Sequence, residues 1–149
     1  MTKIADLLSN SDLNKIFSPQ IGDVFYINLT KEEGIIPKEG ETRNKFYIIL
    51  GFDDFGNAYG GVIINSHINR NMPMHIQKCH MPISQQKYSF LNYNSFIDCS
   101  KLFIVSKQKL KIDLFRGKLN EEDLNLAIGT LMESETANKM LLKKFHIGE

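Results

Sequence analysis

Lys45-Phe-Tyr-Ile-Ile-Leu-Gly-Phe52, then Asp53-Asp-Phe-Gly-Asn57, then Ala58-Tyr-Gly-Gly-Val-Ile-Ile-Asn65 is the stretch that decides the fold. Both flanking runs are rich in β-branched and aromatic residues and short enough for strands. Gly56 and Asn57 accept the positive φ of a tight turn, so the two runs are predicted to pair as a hairpin. Gly60 and Gly61 inside the second run predict a bulge or sharp bend, as at the corner of a small barrel.

Val24 to Leu29 reads as a strand before the hairpin, joined to it by the charged loop Thr30 to Thr42, which contains Gly34, Pro37 and Gly40. Beyond the hairpin, His75 to Ile83 and Phe96 to Val105 read as two more strands, with Pro82 placing the former at an edge or bend. From Asn120 the period becomes helical. Asn120 suits a cap, Glu121, Glu122 and Asp123 place negative charge at the positive end of the helix dipole, and Leu124, Ala127, Ile128 and Leu131 form one stripe. A last helix from about Ser134 carries Ala137, Leu141 and Phe145 inward and ends near Lys143 and Lys144. At the start, Ile4, Leu7, Leu8, Leu13, Ile16 and Phe17 recur at helical spacing behind Thr2 and Ser11, and Pro19 closes the section. The expected fold is mainly β with helices (α+β): a small, strongly bent antiparallel barrel with added N- and C-terminal helices. One domain spans 1–149, divided into a helical extension (1–20), barrel and helix (22–132) and a last helix (134–147).

With 42% hydrophobic and 23% charged residues the chain is neither disordered nor fibrous. Its net charge of +1 excludes a globally basic nucleic-acid binder, so any such surface must be a local patch. Cys79 and Cys99 are expected as free thiols in a reducing compartment. Asp6 and Asp12 interrupt the N-terminal apolar pattern, which is no signal peptide, and no apolar run approaches the roughly 20 residues of a membrane span. A cytoplasmic chain with no membrane partner is expected.

None of the common nucleotide, metalloprotease or serine-hydrolase motifs is present. In a strand His75 and Cys79 would share a face and His80 would not, which is too few ligands for zinc. The same geometry separates Cys79 from His80 as nucleophile and base. No metal and no cofactor are expected. The loop is more informative. It holds Glu32 and Glu33, and Arg43 stands where it re-enters the sheet; a guanidinium there can fork onto phosphate oxygens, or pair with a loop glutamate. Asn65, Ser66, His67, Asn69, Arg70 and Asn71 crowd one strand end, either as a polar loop or as a site for bases and phosphates. The five tyrosines could offer stacking faces or be half-buried strand residues.

The order of these features resembles the MazF/PemK toxin family. The resemblance runs from Gly22-Asp23-Val24, through Gly40-Glu-Thr-Arg43 before an apolar strand, to Ser95-Phe-Ile-Asp-Cys-Ser100 and Gly117-Lys-Leu-Asn-Glu-Glu-Asp-Leu124. It covers about Gly22 to Met132 and implies an SH3-like barrel, a dimer, an antitoxin protein as partner, and metal-independent cleavage of single-stranded RNA. On that basis Arg43 would stabilise the phosphorane charge, Ser66 would position the phosphate, and His67 or a loop glutamate would act as base. Asn65, Asn69, Arg70, Glu32, Glu33, Asp98 and Lys101 would contact substrate. The family's Arg-Pro pair is Arg43-Asn44 here, and Asp98-Cys99-Ser100-Lys101 replaces the Arg-Cys-Asp-Gln of PemK-type members. Those differences leave a second expectation, a catalytically inactive barrel that binds RNA or protein, and a third in which the terminal helices mediate assembly.

Overall fold

The computed structural model describes residues 17–35 and 42–149. The helical start expected over 1–20 lies outside the described residues as far as residue 16, and so do Pro37, Glu39, Gly40 and Glu41 of the loop. Residues 17–20 are not helical.

Among the described residues, six strands and three helices make an α+β fold. In chain order they are β1 (Asp23–Thr30), β2 (Thr42–Phe52), β3 (Ala58–Asn65), α1 (Met74–Gln77), β4 (His80–Ile83), β5 (Ser95–Ser106), β6 (Phe115–Lys118), α2 (Glu121–Glu133) and α3 (Lys139–Lys144). The strands form one antiparallel sheet in the order β4-β5-β3-β2-β1-β6. Its two edges, β4 and β6, are not paired with each other, so the sheet is not closed into a barrel.

Alternation along the strands feeds two apolar layers, one on each face. Ile48 and Leu50 of β2, Val62 and Ile64 of β3, and Ile97 and Cys99 of β5 pack under Ala127 and Leu131 of α2 and under Leu142 and Phe145. Tyr47 and Ile49 point the other way, into a layer with Phe25, Ile27, Leu29, Ile63, Phe103 and Val105. Each such buried side chain stabilises the fold by about 1.5–3 kcal/mol, so both layers matter. The two-faced burial explains why the strands read as nearly continuous apolar runs.

Two irregularities shape the sheet around Gly61. The β2–β3 register shifts between Ile49 and Gly51. On the other side, Gly61 pairs with Phe103 whereas Ile63 pairs with Asp98, so the β5 backbone bulges between these points. The extra β5 backbone is satisfied locally. The Ser100 N–H and hydroxyl both donate to Asp98 Oδ1 (3.0 and 2.6 Å), and the Ser134 and Thr136 hydroxyls donate to the Ser100 carbonyl (2.6 and 2.5 Å). Beneath the bulge, the Tyr47 hydroxyl donates to the Phe103 carbonyl (2.7 Å), with the Tyr59 carbonyl 3.1 Å away. Burial, and secondarily the Glu33 charge, hold that phenol well above its ordinary pKa of 10.0, so it remains a donor.

The structure corrects three element expectations. His75 to Ile83 is not one strand: Met74–Gln77 is a helical turn and the strand is only His80–Ile83. The Gln77 amide donates to the Met72 and Arg70 carbonyls (2.7 and 3.2 Å), which ties the preceding loop into a turn. The strand-face argument for His75 and Cys79 therefore does not apply. β6 was not expected; it is short and mostly exposed, with no apolar period to reveal it. The last helix starts at Lys139, capped by Asn138, whose side chain accepts from Met140 and Leu141 N–H; Leu142 is its buried residue, Leu141 is half-buried, and Phe145 just beyond its end is buried. The Asn120 cap is as expected, its side chain accepting from Asp123 N–H at 2.8 Å.

The C-terminus closes over the hairpin. His146 sits at φ 58, where Nε2 meets Asp54 Oδ1 and Nδ1 meets Glu149 Oε2, both at 2.5 Å. The hydrogen bond to Asp54, then that to Glu149, raise its pKa above the ordinary 6.5. A raised histidine stabilises the fold fully below its unfolded pKa and loses that contribution as pH rises through the higher folded value. The melting temperature of the protein is therefore expected to fall, as pH rises above the ordinary 6.5, by more than that of His146→Gln. Equal slopes for the two proteins would show that this contact carries no pH-dependent stability.

Candidate functional site

Strand register assembles a polar row across four strands on one face of the sheet. Arg43 and Lys45 lie four and two residues before Tyr47 on β2, so they share its face. Tyr47 pairs with Ile63, which places Asn65 of β3 on the same face and beside Lys45; the Lys45 ammonium donates to Asn65 Oδ1 at 2.8 Å. Ile63 pairs with Asp98 of β5, and Asp98 pairs with His80 of β4. The β5 bulge brings Lys101, three residues after Asp98, back to this side.

These groups line an open cavity of about 630 Å³. Ile35, Ile63 and Phe103 are its buried apolar members. Arg43, Lys45, Asn65, Asp98, Lys101 and His80 surround them on the strand side, and residues Ser66 to Met72 close the rest. Of the ten site residues expected from sequence, eight are brought together here: Arg43, Asn65, Ser66, His67, Asn69, Arg70, Asp98 and Lys101. Glu32 and Glu33 are not. Glu32 is exposed on the turn Lys31–Glu33; Glu33 accepts from Thr30 N–H at 2.9 Å and pairs with Lys109, which fastens that turn to the sheet.

Several members are already engaged. Lys101 donates to the Gly34 carbonyl at 2.7 Å and lies 4.9 Å from the Phe103 ring centroid. Arg70 donates to Gln77 Oε1 at 3.2 Å, and Ser66 Oγ is 3.0 Å from His67 Nδ1. Arg43 differs: among the described residues no carboxylate pairs with it. Of the two sequence readings of Arg43, pairing with Glu32 or Glu33 is thus excluded, while Glu39 and Glu41 lie outside the described residues.

Charge is unevenly placed. Among its described lining residues the cavity collects Arg43, Lys45, Arg70 and Lys101 against the one carboxylate of Asp98, in a chain whose net charge is +1. An open, half-apolar hollow with an excess of cations fits a ligand that is flat at one end and anionic at the other. A second hollow of about 970 Å³, bordered by Phe17, Asn57 and Ser106–Lys111, offers lysines but has no carboxylate or imidazole among its described lining residues.

Other sequence expectations find different places. Cys79 and Cys99 are both buried and free, and burial pushes the Cys99 thiol up to about 12, which removes it as a nucleophile. Among the described residues, no group of three or more His, Cys, Asp and Glu side chains has the arrangement to hold a metal ion. None of the five tyrosines lines the cavity; Tyr47, Tyr59 and Tyr88 are buried. Among the described residues, no helix is long and apolar enough to cross a membrane. Sequence reading missed Lys45 and His80. Strand alternation from Arg43 was the available signal for Lys45; the one for His80 was hidden by the false strand that began at His75. No protein-family model matches the chain, and neither does any curated protein.

Proposed function

We propose that this cavity binds single-stranded RNA and cleaves it as a MazF/PemK-like endoribonuclease does, without metal. The observation that carries the proposal is the convergence, among the described residues, of four cations, two imidazoles and one carboxylate on an apolar patch large enough for a nucleotide. The base would lie on Ile35, Ile63 and Phe103, and the backbone phosphate would meet Arg43, with Lys45 and Lys101 beside it.

In this reaction the ribose 2′-oxygen attacks the adjacent phosphorus and the bond to the 5′-oxygen breaks, leaving a 2′,3′-cyclic phosphate and a 5′-hydroxyl. The barrier lies in gathering charge on the equatorial phosphorane oxygens. Preorganised cations lower it because they need not reorient as that charge develops. Arg43 suits this role best, because its planar fork can meet two oxygens at once and no described carboxylate neutralises it. Ser66 and His67 stand at the strand end where a phosphate would be positioned. The bent six-stranded sheet followed by α2 supports reading the fold as an opened SH3-like barrel. A homodimer and an antitoxin that covers the cavity belong to the same proposal.

Incubation of the protein with mixed-sequence single-stranded RNA in EDTA tests it. Fragments that end in 2′,3′-cyclic phosphate are expected, and the all-2′-deoxy oligonucleotide should stay whole. RNA that is bound yet uncut at high protein concentration would overturn cleavage and leave the binding-module reading, which the replacement of family acid-base residues by Asp98 and Ser100 favours.

A further inference from the structure

We infer that Asp98 is the proton acceptor of this cavity and that His80 positions it. The inference rests on reading the cavity as an RNA-cleaving site and identifies the acid–base group within it. Asp98 is the only carboxylate in the described lining. Its Oδ1 is occupied by two donors from Ser100, the N–H at 3.0 Å and the hydroxyl at 2.6 Å, which fixes the plane of the carboxylate. Its Oδ2 is left facing His80 Nε2 at 3.7 Å.

The histidine is oriented from behind. His80 Nδ1 is 3.1 Å from the Ile76 carbonyl, and a carbonyl can only accept, so Nδ1 carries a proton and Nε2 is the atom turned toward Asp98, to which it donates when the ring holds its second proton. The His80 side chain is 3% exposed and that of Asp98 is 13% exposed, both at the cavity wall. This ordering assigns the roles: Asp98 reaches the opening, and His80 stands behind it. A carboxylate needed only to brace the β5 bulge would use the Ser100 contacts alone. A buried imidazole held toward the second oxygen serves no bracing purpose. The 3.7 Å gap exceeds a hydrogen bond, and such catalytic contacts commonly shorten when substrate excludes water.

The step balances without a further reactant. As the 2′-oxygen bonds to phosphorus, its proton passes to Asp98 Oδ2. The bond from phosphorus to the 5′-oxygen breaks, and that oxygen takes a proton from water at the open rim. Asp98 then returns its proton to the resulting hydroxide.

Steady-state cleavage of an RNA oligonucleotide in EDTA by wild type, Asp98→Asn, His80→Gln and His80→Leu tests the assignment, with Arg43→Ala alongside. Asp98→Asn should lower kcat about 10²–10⁴-fold with KM unchanged, the usual scale of a lost general base. His80→Gln keeps an N–H donor where Nε2 stands and should retain more kcat than His80→Leu, again with KM unchanged; a loss of roughly a hundredfold in the leucine variant is the scale of a misplaced group. Equal losses in the two histidine variants would overturn the positioning role. Melting temperature and binding of uncleavable 2′-O-methyl RNA establish that each variant is folded. Cleavage abolished by Arg43→Ala but undiminished in folded Asp98→Asn would overturn this inference and leave the nuclease reading standing. Wild type that binds RNA without cutting it would overturn both.

Discussion

Arg43→Ala should lower the rate of RNA cleavage by about 10²–10³-fold, the cost of removing one preorganised donor from developing oxyanion charge. The expectation comes from its placement. Arg43 is half-buried on β2, its backbone is fixed by the ladder in which it pairs with Leu29, and its guanidinium opens into the cavity. Among the described residues no carboxylate competes for it, so a phosphate would find the fork available. Lys45 and Lys101 differ, because one donates to Asn65 and the other to the Gly34 carbonyl. Arg43→Lys keeps the charge but not the fork and should recover only part of the rate. If RNA binding is measured alone, Arg43→Ala should also reduce the slope of log affinity against log salt by about 0.7, the loss of one phosphate contact on a single strand. Unchanged kcat in a folded Arg43→Ala protein would remove Arg43 from the chemistry.

The largest stability effect is expected at Gly61. A Cβ added there would lie 2.1 Å from the Ile48 carbonyl oxygen, 2.7 Å from Tyr47 Cζ and 2.9 Å from its hydroxyl. The carbonyl is backbone of the adjacent strand and cannot retreat without opening the β2–β3 ladder at the register shift. The tyrosine cannot turn aside without giving up its hydrogen bond to the Phe103 carbonyl. Gly61→Ala should therefore cost about 3 kcal/mol or more, the upper range of overpacking, and lower Tm by roughly 10 °C in a chain of this size. Gly129→Ala is the opposite case. Gly129 is exposed on α2, and an added Cβ meets nothing within 4 Å. It should gain about 0.5–1 kcal/mol of helix stability. Thermal melts of the two variants beside wild type check both signs, and a Gly61→Ala protein as stable as wild type would contradict the close approach of the strands.

How far the sequence foretold this fold depends on whether the signal was local. The strand Ala58–Asn65 coincides with β3, and the glycine pair inside it lies at the bulge, because at Gly61 only glycine tolerates the neighbouring carbonyl. Asn120 and its acidic turn likewise carry their own meaning. The stretch from His75 to Ile83 failed because its conformation is decided from outside: Gln77 reaches back to the Met72 and Arg70 carbonyls and holds a helical turn over apolar residues that would suit a strand. β6 exists because β1 has an open edge, and Phe115–Lys118 carries no pattern of its own. At the site, Arg43 and Asn65 to Arg70 were legible as single features, whereas their meeting with Asp98 and Lys101 depends on the β5 bulge. His80 was misjudged along with the strand assigned to it. Glu33 was drawn into the site by its position in the loop, but Lys109, distant in sequence, holds it elsewhere.

RNA is proposed to seat in this cavity. Titration of uniformly ¹⁵N-labelled protein with an uncleavable 2′-O-methyl single-stranded RNA tests it most directly. Amide shifts concentrated at Arg43 to Lys45, Asn65 to Met72 and Asp98 to Lys101 are the predicted result, weakening as salt is raised. Shifts confined to Ser106–Lys111 at the second hollow, or none at saturating RNA, would contradict it.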